Sequence, residues 1–335
     1  IDVIVGGKRF KCNTAMASQA SEFQNLYGSM PDMVINSHGD GVITTILEER
    51  KKVPPASFIH AGDDQMASYR YRSQIPARKL GWAINDYRAP VIIFSKPTVR
   101  DVEVAKELKS DNRLIVVDFC DDHFDSMPHY VEILSLADRV VCSTVEMAYR
   151  ISKYHQLLKN TIAVIPDPYE FEKAAPHCNG DNILWFGHAV NFHSIEGLVE
   201  KINHPLRIVS NVQRAIPWSI GTMYEEFKKA DIVIIPKTAD YKSPNRAIEA
   251  IRQGCFVVAE DHPALMGFRE YIWRGDIIEG IEWAIQNPQL ANEMTLKGQE
   301  FIESFSPERT ANAWKTIVEG LSYTSVAEKN TGTDG

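Results

Sequence analysis

Lys242, Ser243, Asn245, Arg246 and Glu249 cluster in the stretch YKSPNRAIEAIRQG, residues 241–254, between the apolar runs DIVIIPK and CFVVAEDHP. Pro244 can open a helix here, because its missing N–H would be unpaired in a first turn anyway. Asn245, Arg246 and Glu249 then share one face, at helical spacings of three and four. A helix N-terminus also offers backbone donors to an anion. With that geometry Lys242 and Arg246 would neutralise a diphosphate, while Glu249, one turn deeper, would accept hydrogen bonds from a ribose diol. The ordinary alternative is an Arg246–Glu249 ion pair on the solvated face of an amphipathic helix, with a free lysine beside it.

A second group of polar residues lies in the first half. DFCDDHF, residues 118–124, places Asp118, Asp121, Asp122 and His123 at the end of a strongly apolar strand, the edge of a parallel sheet where ligands bind. Asp121 or Asp122 could equally cap a turn there, with His123 facing solvent. HAGDD (60–64), GGKRFKCN (6–13) and NSHGDG (36–41) are further loop candidates for holding a second substrate, although His38 and His60, as isolated loop histidines, read more readily as surface residues. The acidic pairs are weak evidence for a divalent ion, since nearby lysine and arginine can carry diphosphate charge without one. C-D-D-H at 120–123 supplies only two ligands for zinc, so no metal is expected.

These residues need a scaffold, and the apolar pattern specifies it. SFIHA, VIIFS, RLIVVDF, RVVCS and TIAVIP, preceded by IDVIV and DMVIN, read as strands separated by the helical patterns RDVEVAKELK, HYVEILSLA and TVEMAYRISKYH. That is the signature of βαβ units and a parallel sheet. The proline-rich stretch around PDPYEFEKAAPHCNGDN breaks it, and the pattern restarts with NILWFG, PLRIVSN, DIVIIP and CFVVAE, again alternating with helices, among them one around PALMGFREYI. The expectation is an α/β chain with two Rossmann-like, doubly wound parallel-sheet domains facing across a cleft. The expected bounds are 1–167 for the N-terminal domain, 168–181 for a linker, 182–305 for the C-terminal domain, 306–322 for a closing helix and 323–335 for a disordered tail. No G-x-G-x-x-G or G-x-x-x-x-G-K-S/T fingerprint follows a strand, which argues against a nicotinamide dehydrogenase or a P-loop kinase; GGK at 6–8 matches neither loop.

The 335-residue length suits two cores. A net charge of −8, with no local basic stripe, argues against nucleic acid as a partner. Five scattered cysteines, three of them in or beside apolar runs, do not form a disulfide framework and fit a reducing compartment. No run is long and apolar enough to span a bilayer, and no cleavable signal is visible.

ILWFG, ADIVIIP and IEAIRQGCFVVAEDHP, in that order, resemble the C-terminal half of nucleotide-sugar glycosyltransferases of the two-Rossmann-domain (GT-B) class, especially the retaining family 4 group. The resemblance extends more loosely to LIVVDFCDDHF, ADRVVCSTVEMAYRI and IAVIPDP, and SPERTANAWKTIVEGL looks like that family's closing helix, which returns to the N-terminal domain. It implies transfer of a sugar, with retention, from a UDP- or GDP-linked donor to a hydroxyl of a glycan, lipid-linked or small-molecule acceptor held on the first half. It assigns the ribose to Glu249. The donor set is then Gly187, His188, Asn211, Lys242, Ser243, Asn245, Arg246 and Glu249, with Lys242, Asp240, Asp118 and His123 as the catalytic candidates.

Two departures stand out. The family's earlier glutamate is Tyr241 here, flanked by Asp240, and no basic residue occurs between Gly187 and Lys201, where the diphosphate pair is expected. A non-catalytic nucleotide-sugar or glycan-binding protein and a sugar-nucleotide epimerase of the same fold are the alternatives. A cytoplasmic location follows, with peripheral contact at the inner membrane face if the acceptor is lipid-linked; oligomeric state is open.

Overall fold

The computed structural model describes residues 2–5, 8–11, 33–35, 53–154 and 162–331, with side-chain surroundings for 53–154 and 162–321. Residues 1–54 and 55–335 form separate compact units.

In the first unit, β1 (Asp2–Val5), β2 (Lys8–Lys11) and β3 (Met33–Ile35) make a small sheet in the order β2-β1-β3, antiparallel throughout. IDVIV and DMVIN therefore do not join the parallel sheet expected of the first half. Val5 pairs with Lys8, and the residues of GGKRFKCN that flank β2 lie outside the described residues. NSHGDG and His38 lie outside the described residues.

The second unit contains two parallel sheets. The first is built from β4 (Ala56–Ile59), β5 (Ala83–Ile84), β6 (Val91–Ser95), β7 (Leu114–Phe119), β8 (Arg139–Cys142) and β9 (Ile162–Val164), in the order β5-β4-β6-β7-β8-β9. The other contains β10 (Ile183–Phe186), β11 (Leu206–Val209), β12 (Ile232–Ile235), β13 (Phe256–Ala259) and β14 (Trp273–Arg274), in the order β11-β10-β12-β13-β14. Every pairing in both is parallel. In each sheet the chain goes first to one side of its opening strand and then crosses to the other. This creates a switch point between β4 and β6 and another between β10 and β12, where crevices open beyond the strand ends.

Apolar alternation supplies both faces of each sheet. Leu184, Val233 and Val257 enter one core layer while Ile183, Ile232 and Phe256 enter the opposite one. Residues 165–182 carry no helix or strand and connect the sheets. Helix α10 (Pro307–Thr331) comes last, and it runs past residue 322 where a disordered tail was expected. Its Trp314 is fully buried on the first sheet, edge-on to Phe58 with ring centroids 5.1 Å apart. Ser306 is extended and its hydroxyl accepts from the Arg309 amide, which fits a serine–proline helix start. PALMGFREYI, expected as a helix, holds only a 3₁₀ segment, Pro263–Phe268.

Candidate functional site

Helix α7 (Asn245–Arg252) starts immediately after Pro244, at the carboxyl edge of the second sheet. A small open pocket there is lined by Pro236, Thr238, Lys242, Ser243, Arg246 and His262. His262 is held in place by its Nε2, 2.7 Å from the Ala239 carbonyl. The Arg246 guanidinium reaches back under the loop after β10, where Nη1 donates to the Phe186 carbonyl at 3.4 Å. A Cβ built at Gly187 would come within 3.0 Å of the Trp185 ring, so glycine lets the loop close over that ring, with Arg246 Nη1 in ordinary contact at 3.7 Å. Arg246 has no carboxylate partner among the described residues, and burial alone pulls its pKa down to about 10. The Arg246–Glu249 surface pair does not form. Arg246 is thus a half-buried cation without a carboxylate partner among the described residues, beside a helix N-terminus and the loop that carries Gly187.

Lys242 leans the other way. Its ammonium pairs with Asp121 Oδ1 of the first half at 2.5 Å, and Lys96 holds Asp121 Oδ2 at 2.9 Å. Burial would raise the Asp121 pKa, but the two ammonium groups outweigh it and hold the carboxyl well below the usual range. Lys96 has a left-handed backbone, φ 53°, at the end of β6, an uncommon conformation for a side chain of that size. Tyr241, which stands where the family pattern has a glutamate, packs against the first half's core. The Thr144 hydroxyl donates to its carbonyl, and Arg150 lies 5.9 Å from its ring centre.

Of three consecutive residues, Arg70 and Tyr71 reach from the first half to the connection and the second half, while Arg72 stays within the first half and the connection. Residues Arg70–Gln74 form a π-helical turn, and its wider winding brings neighbouring side chains to places that an α-helix would spread around its axis. Arg70 Nε donates to both Glu170 oxygens, at 3.0 and 2.9 Å, and its guanidinium lies 5.3 Å from the Trp218 ring centre. The Tyr71 hydroxyl donates to Glu249 Oε1 at 3.2 Å. Arg72, wholly buried, pairs with Asp118 at 2.6 Å and Asp167 at 3.1 Å. Its own burial opposes the charge, but the two carboxylates raise its pKa above the ordinary value.

Glu249 is 2% exposed. Besides Tyr71, Oε1 accepts from the Glu170 amide at 2.7 Å, and Oε2 has no hydrogen-bond partner. Burial, reinforced by the nearby Glu170 charge, pushes its pKa up to about 8.

Asp118 is 0% exposed, and Arg72 and the Ser95 hydroxyl occupy its oxygens, so it neutralises a buried arginine. Asp240 pairs with Lys237 on the surface and is not among the residues lining the pocket. His123 packs its ring edge-on against Tyr130, with centroids 5.5 Å apart. His188 is exposed and accepts the Val190 amide at Nδ1, while Asn211 is exposed on the loop after β11. The Ser243 hydroxyl is enclosed on the side of Asp167, and Asn245 begins the helix. Sequence reasoning missed Arg70, Tyr71 and Lys96, whose partners lie far away in the chain, and it placed His60 on the surface although that residue is 4% exposed. Among the described residues no group of three or more His, Cys, Asp or Glu side chains is arranged to hold a metal ion, and no helix is long and apolar enough to cross a membrane.

No family model and no curated protein matches the sequence. Solved structures do. HepE of Anabaena, in complex with UDP-glucose, is similar over 80% of this chain and 99% of its own, at 12% identity and a TM-score of 0.59. The fold is GT-B. A glycosyltransferase from Rickettsia africae is similar over 79% and 98% of the two chains (11% identity, TM-score 0.52). A UDP-forming trehalose-phosphate synthase from Burkholderia xenovorans is similar over 71% and 75% (7% identity, TM-score 0.50). At these identities the likeness is one of architecture.

Proposed function

We propose that this protein is a glycosyltransferase that moves a sugar from a nucleoside-diphosphate sugar to a hydroxyl acceptor, with retention. The observation that carries the reading is Arg246, an uncompensated guanidinium at the switch point of the second sheet. A diphosphate supplies the charge it lacks, and the Gly187 loop and the first amides of α7 close around the same anion. Lys242 then exchanges Asp121 for a phosphate oxygen. Glu249 takes the ribose hydroxyls in place of the Tyr71 hydroxyl and Glu170 amide it now binds. Ser243 and Asn245 complete the phosphate loop, with His188 and Asn211 at its rim. Fixed positive charge on the departing diphosphate lowers the barrier to leaving, and no metal is needed for that. The acceptor attacks from the face the diphosphate leaves, guided by that phosphate.

The test is titration of the protein with UDP, GDP and their sugar conjugates, then donor consumption with and without acceptors. Arg246→Ala should abolish tight nucleotide binding; equal affinity in that variant sinks the site. Lys242→Ala should weaken binding less. Tyr241 favours a second reading, a nucleotide-sugar-binding protein without turnover, because the residue that would meet the transferred sugar is anchored in the first half. Binding without donor consumption selects that reading. Conversion of donor with no acceptor present selects an epimerase.

A further inference from the structure

The switch point of the first sheet holds a side chain that the donor site does not use. His60 follows β4 directly and is clamped from several directions. Its backbone N–H donates to Asn85 Oδ1 at 3.0 Å and its carbonyl accepts from Asn85 Nδ2 at 3.3 Å. Asn85 makes this bracket from a left-handed backbone, φ 56°, and Lys96, across the crevice at the end of β6, is left-handed too. Strained positions of this kind concentrate where a site is built.

The ring is fixed as firmly. Nδ1 accepts from the Gly62 amide at 2.8 Å, which assigns the proton of the neutral ring to Nε2. Glycine is required for that approach: a Cβ at Gly62 would come within 2.9 Å of His60 Cε1 and collide with Met66. Tyr69 stands edge-on to the ring, with centroids 5.4 Å apart. Burial first, and Lys96 second, pull the His60 pKa down to about 4, so the ring stays neutral. Nε2 is buried and has no hydrogen-bond partner. A donor locked in tautomer and orientation but left unpaired costs stability unless a ligand completes it.

We infer that the Nε2–H of His60 binds the acceptor, donating to the oxygen of the hydroxyl that receives the sugar. The inference rests on the transferase reading and adds the acceptor's chemistry to it. The charges that act on the ring are Lys96, matched by Asp121; Asp118, matched by Arg72; and Asp101, which accepts from the Thr98 amide and hydroxyl. None is a cation left free for an anionic group, so the reacting end of the acceptor is an uncharged hydroxyl. With its lone pair tethered by Nε2–H, the acceptor oxygen keeps its own proton free to face the donor. The bond from that oxygen to the anomeric carbon forms and the bond from that carbon to the diphosphate breaks. The acceptor proton passes to the departing phosphate oxygen, and His60 keeps its own.

The experiment uses the full chain and the variants His60→Phe and His60→Gln. Affinity for UDP and GDP is measured by titration, and consumption of UDP-glucose and GDP-mannose is followed in water and in molar glycerol, so that water and a simple alcohol are the acceptors. His60→Phe should hold nucleotide affinity within about twofold of wild type while donor consumption drops about tenfold or more in both media. His60→Gln, which keeps an N–H donor, should recover part of that loss. The ¹⁵N spectrum of the wild-type imidazole should show the Nε2–H tautomer. Unchanged consumption in His60→Phe overturns the inference and leaves the transferase reading standing, and so does parallel loss of affinity and turnover, the mark of a structural role. A wild-type chain that binds nucleotide but consumes no donor overturns the transferase reading and the inference together.

Discussion

Arg72 and Arg246 are both guanidinium groups set near the carboxyl edge of a parallel sheet, yet their surroundings are opposite. Arg72, on the first half, is enclosed by Asp118 and Asp167 and its pKa is raised; Arg246, on the second, faces one carbonyl and its pKa falls to about 10. Lys96 of the first half is matched by Asp121, and a neutral imidazole N–H is among the unpartnered polar groups there; in the second half Lys242 is matched by the same Asp121 while Arg246 is left uncompensated. Counter-ions present in the fold make a cation structural, and their absence leaves it for a ligand. In the proposed function this difference puts a neutral hydroxyl at one edge and an anion at the other.

Exchanging the environments experimentally should break this contrast. The largest effect is expected for Arg72→Met, which strands two buried carboxylates and should cost about 3–5 kcal/mol in denaturant unfolding. Arg246→Met should unfold at the same or higher denaturant concentration, because it removes an unpaired buried charge. Its nucleotide affinity should nonetheless fall about 30- to 100-fold, or about 2–3 kcal/mol, by calorimetry. A loss of stability in both variants would erase the distinction.

Glu249 should sharpen it through pH. Its folded pKa of about 8 exceeds the unbound value of 4.5, so between those values the folded chain holds a proton that the unfolded chain has released. Wild-type stability should fall as pH rises through that window, and Glu249→Gln should flatten the slope. Asp121→Asn releases both Lys96 and Lys242, and should tighten UDP binding about three- to tenfold by making the first edge positive as well. The smallest effect belongs to His204, whose ring nitrogens lie 3.0 Å from Glu282 and 3.1 Å from Asp181, both of which raise its pKa. The stabilisation from this charge is complete below the unfolded pKa near 6.5 and lost as pH rises through the raised folded value, so His204→Gln should cost about 0.3 kcal/mol at pH 5.5 and nothing at pH 9.

The proposed donor edge was more legible in the sequence than the proposed acceptor edge. Lys242, Ser243, Arg246 and Glu249 are local neighbours, so helical spacing and the proline start were enough to gather them. His60, Asn85 and Lys96 come from three separate strand ends, and nothing in FIHAGDD distinguishes a clamped imidazole from a solvated one. Asp118 looked functional because carboxylates at strand ends usually are; its partner, Arg72, is 46 positions away, on a turn whose π-helical winding has no periodicity signature.

What the sequence determined by itself is the set of short-range choices. Apolar alternation selected two parallel sheets, proline and polarity set the connection between them, and helical spacing placed Asn245, Arg246 and Glu249 on one helix, since each of these depends on interactions within a few residues. Only the tertiary structure decided which charges are free. Whether a lysine, arginine or glutamate meets a counter-ion depends on chain segments brought together by folding, as Asp121 is to Lys242 and Tyr71 to Glu249. Charge acts through a few ångströms of space and is indifferent to distance along the chain, so no local pattern could record it.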